Sequence, residues 1–167
     1  MTHSPVATLP APAHAPARKP VALVPAPSPA PTPAPTPAPS QVQVLLLAEP
    51  LPGFPQHRDY VLVPADGGGL LFWLQSVAPD GPRFLAVSAA SFFPDYAPAL
   101  PGVPCAELGL ADTAEATLYC LVTVPDGDVT AATANLRAPL VVNPATQRAR
   151  QLVLIDGSHP IRRPLRR

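Results

Sequence analysis

The chain has 167 residues, with 28 Pro, 9 Gly and 11 basic against 11 acidic residues, a length that suits one domain. Lys19 is its last lysine, so the remainder lacks the amine of a Schiff base and the phosphate-binding lysine of a P-loop, which excludes pyridoxal and Walker-type chemistry. Charge is unevenly spread: residues 1–48 carry +2, residues 49–160 set five Arg against eleven acids for −6, and residues 161–167 carry +4, a balance that disfavours phosphate-backbone binding and suits a basic protein partner.

Residues 1–40 hold 13 of the prolines and no acid. From Pro25 to Pro39 every second residue is proline, a pattern expected to be disordered, with polyproline II character at about 3.1 Å per residue and little apolar bulk to bury. Because all these prolines sit at odd positions, the three-residue spacing of an SH3-type ligand never occurs within the run, and an inert or solubilising tail is the expectation. The apolar stretch Val21 to Val24 is cut off by Pro25, too short for a signal peptide. The longest apolar run, Val44 to Leu47 plus Ala48, falls far short of a membrane span. A cytoplasmic location without membrane contact is therefore expected.

Residues 41–167 are expected to form one all-β domain: a small antiparallel β-barrel-like fold with one short helical turn. Strands are predicted over Val42 to Ala48, Tyr60 to Val63, Leu70 to Val77, Phe84 to Ser88, Thr117 to Val124, Leu140 to Asn143 and Gln151 to Ile155. The turn sequences Asp66-Gly67-Gly68-Gly69 and Pro79-Asp80-Gly81-Pro82 join neighbouring strands, and Asn143-Pro144-Ala145-Thr146 opens the last hairpin. The helical turn is placed at Cys105 to Leu110, behind Pro104. In the third strand Leu70, Phe72, Leu74 and Ser76 share one face and Leu71, Trp73, Gln75 and Val77 the other. Both faces are apolar, so the one turned away from the barrel interior must be covered by a loop, by the helical turn or by a partner.

Neither catalytic residues nor cofactor or metal ligands emerge. His3, His14, His57 and His159 lack metal-ligand spacing, and Cys105 and Cys120 form no C-x-x-C. Cys105 with His57 would make a thiol nucleophile and base only if the fold joined them; a small buried thiol is the simpler reading. Asp126-Gly127-Asp128 begins like a calcium loop, but Arg137 stands where the closing Glu belongs, leaving a turn.

Five segments in order, Leu51-Pro52-Gly53-Phe54, Trp73-Leu74-Gln75-Ser76, Phe93-Pro94-Asp95-Tyr96, Val122-Thr123-Val124-Pro125 and Thr133 to Pro139, resemble the flagellar assembly factor FliW family over about residues 44–165. Departures are mild: Ala132 where Met is usual, Arg150 for Lys, and His159 for an aromatic. The resemblance implies a β-barrel without enzymatic activity that binds two proteins in turn, the RNA-binding translational repressor CsrA and flagellin. In that family, FliW freed from flagellin captures CsrA, so that flagellin messenger RNA is translated once flagellin has been exported.

The partner-binding candidates are Trp73 and Gln75 on the second strand face, Phe93, Asp95 and Tyr96 at an amphipathic tip, and Asn135, Arg137 and Arg162. Each has a structural alternative. Asn135 commonly bonds local backbone, and Arg137 and Arg162 could pair with the domain's own acids. A competing function, a single-stranded RNA-binding barrel acting directly on RNA, would need a basic groove where residues 49–160 carry −6.

Overall fold

A computed structural model describes residues 41–165; the proline-rich residues 1–40, read above as a disordered tail, and Arg166 and Arg167 lie outside the described residues. Among the described residues nine strands form: β1 (Gln43–Leu47), β2 (Asp59–Pro64), β3 (Leu71–Ser76), β4 (Arg83–Ser88), β5 (Thr117–Thr123), β6 (Thr133–Ala134), β7 (Leu140–Val142), β8 (Arg148–Gln151) and β9 (Arg163–Pro164). Antiparallel pairing runs β1–β2–β3–β4–β5–β7–β8, and β8 then pairs with β1 in parallel, closing a seven-stranded barrel. That parallel closure departs from the antiparallel expectation. It is possible because β1 and β8 lie at opposite ends of the chain's path, with the whole meander as their connection.

Alternation assigns the inside of the barrel. Leu45, Leu47, Tyr60, Leu62, Phe72, Leu74, Ala86, Tyr119, Leu140, Val142 and Ala149 are buried together there, and each is two residues from the next inward position on its strand. Phe72 meets Tyr119 edge-to-face at 5.3 Å between ring centroids. The β3–β4 turn is tight enough that a Cβ on Gly81 would lie 2.3 Å from Ser76 Cβ. Glycine is required at that turn for space rather than for backbone angle.

Three expectations are corrected. The last strand, expected over Gln151 to Ile155, is β8 at Arg148–Gln151, although Leu152 and Leu154 still donate to the carbonyls of Pro139 and Arg137. Two short helices form rather than one turn: α1 (Ala89–Phe92) and α2 (Gly102–Glu107). The second begins three residues before the expected Cys105, because Pro104 fits the first turn of a helix, where its missing N–H has no partner to lose. It ends in a Schellman cap, with Gly109 at φ +78° and the Gly109 and Leu110 N–H groups bound to the carbonyls of Ala106 and Cys105. Phe92 and Phe93 thus lie at the end of a helical turn, where adjacent side chains can both pack.

The helices cover parts of the outer barrel surface. Val87 and Cys120, outward-facing on β4 and β5, are buried beneath Phe92, Phe93, Tyr96, Leu136 and Leu165. Val141, outward-facing on β7, is buried beneath Cys105, Leu108 and Leu110.

Candidate protein-interaction surfaces

The outer face of β1, β2 and β3 has no such cover among the described residues. Val44 and Leu46 on β1 are 56% and 49% exposed, and Val42, just before the strand, is 60% exposed. Register sets Val44 beside Val61 and Val63 beside Trp73, so these outward side chains join in an apolar band across three strands. The Arg83 guanidinium lies 3.8 Å from the Trp73 ring centroid and shields one side of the indole. Gln75, two residues along the same face, is exposed beside Arg83 in the register. Trp73 and Gln75 therefore share one surface.

Phe93, Tyr96, Asn135 and Arg137 come together elsewhere, around a strap formed by residues 156–165. The Tyr96 hydroxyl donates to the Leu136 carbonyl at 2.6 Å, and its ring meets His159 edge-to-face at 5.0 Å. Burial raises the Tyr96 pKa well above that of an ordinary phenol. Asn135 Oδ1 accepts from the backbone N–H groups of Arg137 and Ala138, the local role weighed for it above. Arg137 donates Nε–H to the His159 carbonyl and Nη2–H to the Gly157 carbonyl. It fastens the strap and pairs with backbone rather than with an acid. Strand β9, within the strap, pairs with β6. Asp95 is exposed in the turn between Phe93 and Tyr96, and Arg162 is exposed on the strap.

Arg150 has a linking role that its sequence neighbourhood does not announce. It bridges Glu49 and Glu107, each at 2.5 Å, tying the segment after β1 to α2 across β8. Its signal was weak, since the two carboxylates stand 101 and 43 residues away in the chain and no local pattern joins them to it.

Buried titratable groups show no catalytic arrangement. His57 Nδ1 lies 3.0 Å from Ser76 Oγ, which also accepts the Ala78 N–H, so His57 is occupied at the β3–β4 turn. Desolvation raises the Cys105 thiol and pushes Cys120 up to about 12, keeping both protonated near neutrality. Inside the barrel the Tyr119 phenol is likewise pushed up to about 12. Among the described residues no group of three or more His, Cys, Asp or Glu could hold a metal ion, and no helix is long and apolar enough to cross a membrane.

Comparison with known proteins agrees with this architecture. The family model described as "FliW protein" matches residues 36–165. The flagellar assembly factor FliW of Moorella thermoacetica is 36% identical over 115 residues, covering 69% of this chain and 73% of the relative. That of Symbiobacterium thermophilum is 38% identical over 117 residues, covering 69% and 83%. A crystal structure of the flagellar assembly factor FliW superposes with a TM-score of 0.66 at 26% identity, over 74% of this chain and 85% of that one.

Proposed function

This chain belongs to the FliW family of flagellar assembly factors, and from that membership we propose that it acts without catalysis, in the cytoplasm, by binding two proteins alternately: the repressor CsrA and flagellin. Bound to CsrA it relieves repression of flagellin translation; bound to flagellin it leaves CsrA free. The observation that carries this reading is the apolar band of exposed Val42, Val44 and Leu46 with half-buried Trp73, which no described segment covers, whereas the outward residues Val87, Cys120 and Val141 are buried beneath the helices and the strap. Contiguous exposed apolar surface on a small domain marks a protein contact. Trp73 and Gln75 belong to that band, and exposed Asp95 and Arg162 supply charge on the separate strap side, so two partners have two surfaces of different chemistry to use. The excess of acids in residues 49–160 favours a basic partner.

Size-exclusion chromatography of the purified protein with CsrA, and separately with flagellin, tests the reading. A complex with each is expected at micromolar concentration. A gel shift with flagellin leader RNA should show release of RNA from CsrA and no shift by this protein alone. Failure to co-elute with either protein, or direct RNA binding, overturns it.

A further inference from the structure

The strand registers set one apolar row straight across the outer face of the barrel. Val63 pairs with Trp73, Trp73 with Leu85 and Leu85 with Val122, and one step beyond the Gln43–Leu62 pair brings Val42 opposite Val63. Val42 is exposed and the other four are half-buried. Each of these strands already pairs on both sides, so the row offers no edge, and a segment lying across it covers its own backbone without a ladder. Proline suits that position, because it has no N–H to leave unpaired. The row also presents donors. The Arg83 guanidinium lies 3.8 Å from the Trp73 ring centroid, and among the described residues neither it nor the indole N–H has a hydrogen-bond acceptor or a carboxylate partner. An indole with free donors beside it is the seat that proline-rich segments take, ring against ring and carbonyl to N–H. This seat is a flat row rather than a pair of pockets, so it does not require the three-residue spacing of an SH3-type ligand.

The chain leads such a segment to the row. Immediately before Val42 it reads Thr36-Pro37-Ala38-Pro39-Ser40-Gln41, with no charge and no bulky side chain. Strands lie about 4.8 Å apart, so Val42 to Leu85 spans about 14 Å. Five residues at about 3.1 Å each reach about 15 Å. An uncharged segment also approaches Arg83 without the repulsion that a basic one would meet.

We infer that residues 36–40 turn at Gln41 and lie across Val63, Trp73 and Leu85, their carbonyls accepting from the Trp73 indole N–H and the Arg83 guanidinium. The chain's own approach to β1 is then a removable cover for one row of the apolar band, while Val44 and Leu46 stay outside it. A partner that docks over Trp73 displaces this segment, so its affinity is scaled by the fraction of chains that stand uncovered. The inference goes beyond the proposed function and depends on the identity of no partner.

Trp73 is the chain's only tryptophan, so its fluorescence and its single indole N–H resonance report on this seat alone. Two double variants of the full chain test the cover, Pro37→Gly with Pro39→Gly, and Pro27→Gly with Pro29→Gly as the control farther along the tail. All four positions precede the barrel strands. A segment seated most of the time excludes a quencher for that fraction, so acrylamide quenching of the parent should be about half that of the Pro37/Pro39 variant. The indole resonance should move in that variant, and the control should match the parent in both readouts. Quenching equal to the parent's with an unmoved indole resonance in the Pro37/Pro39 variant overturns the cover. Equal changes in both variants overturn residues 36–40 as the occupant. Quenching that falls as protein concentration rises, alike in parent and variants, assigns the row to a second copy of the chain and overturns the inference too. None of these outcomes touches the proposed function, which is decided separately by complex formation with the purified partners.

Discussion

Two regions of the outer barrel surface begin from the same sequence pattern and end differently. On β4 and β5 the outward residues Val87 and Cys120 are fully buried under α1, Tyr96 and the strap. On β1 the outward residues Val44 and Leu46 remain half exposed, and Trp73 on β3 is shielded only in part, by Arg83. Alternation along a strand fixes which side chains point away from the barrel, but it cannot say whether the chain returns to cover them. The covered side is fastened by contacts between residues far apart in sequence, such as Tyr96 to Leu136 and Arg137 to Gly157 and His159. The open side has no returning segment among the described residues. Truncations on the two sides should therefore be read out differently, by stability on the covered side and by partner affinity on the open one.

The largest expected effect is on the covered side. Leu136→Ala removes a buried side chain from beneath the strap and should destabilise the domain by about 2–4 kcal/mol. Thermal or urea unfolding measures it, and a loss below about 1 kcal/mol would mean that the strap side is not a packed layer. Tyr96→Phe comes next, since it keeps the ring against His159 and deletes only the hydroxyl that donates to the Leu136 carbonyl. Leaving that carbonyl without its donor should cost about 1–2 kcal/mol. A variant as stable as the parent would show that water replaces the hydroxyl freely and that the strap is less sealed than its geometry indicates.

The contrast also explains what could be read from the sequence. Inward residues such as Leu45, Leu62 and Phe72 follow from period-two alternation and turn chemistry, which are local. The two-residue strands β6 and β9 carry too little sequence to show a period, and they exist because the strap lies against β6. The last strand is expected at Gln151 to Ile155 because apolar residues cluster there, whereas regular pairing ends at Ala149 toward β1 and at Gln151 toward β7. Among the candidate contacts, Trp73 and Gln75 were legible as members of a second apolar face. The bonds of Tyr96 and Arg137 to the strap were not, because their partners are backbone carbonyls, which leave no mark on residue type.

A pH experiment sharpens the same comparison. Burial under the covering layer pushes the Cys120 thiol up to about 12, while in the unfolded chain it titrates near its ordinary value of about 8.5. The unfolded state thus gives up its proton first as pH rises. The stability contributed by keeping the thiol protonated is complete below about pH 8 and declines through the interval up to about 12. Unfolding free energy should fall by about 1–2 kcal/mol between pH 8 and pH 10, and Cys120→Ala should show a shallower decline over that interval. Equal slopes for parent and variant would mean that the thiol is not sealed beneath α1 and the strap.

The smallest stability effect is expected on the open side. Trp73→Ala removes an aromatic side chain with no layer packed over it and ends its contact with Arg83. An exposed contact of that kind is worth about 0.5–1 kcal/mol, so the unfolding midpoint should move far less than in Leu136→Ala. Affinity should move more. If the band of Val44, Leu46 and Trp73 meets a partner, loss of its one large aromatic removes about 1–2 kcal/mol of binding, five- to thirtyfold, mostly through faster dissociation. Arg83→Ala separates the two roles of the guanidinium: it exposes the indole fully, so a partner that stacks on Trp73 should bind at least as well, whereas one that uses the arginine should bind less well. Dissociation rates of CsrA and flagellin from both variants decide between these outcomes. Unchanged rates for both partners, with the fold intact, would show that exposure on β1–β3 reflects only the absence of a returning segment and that partners dock elsewhere on the barrel.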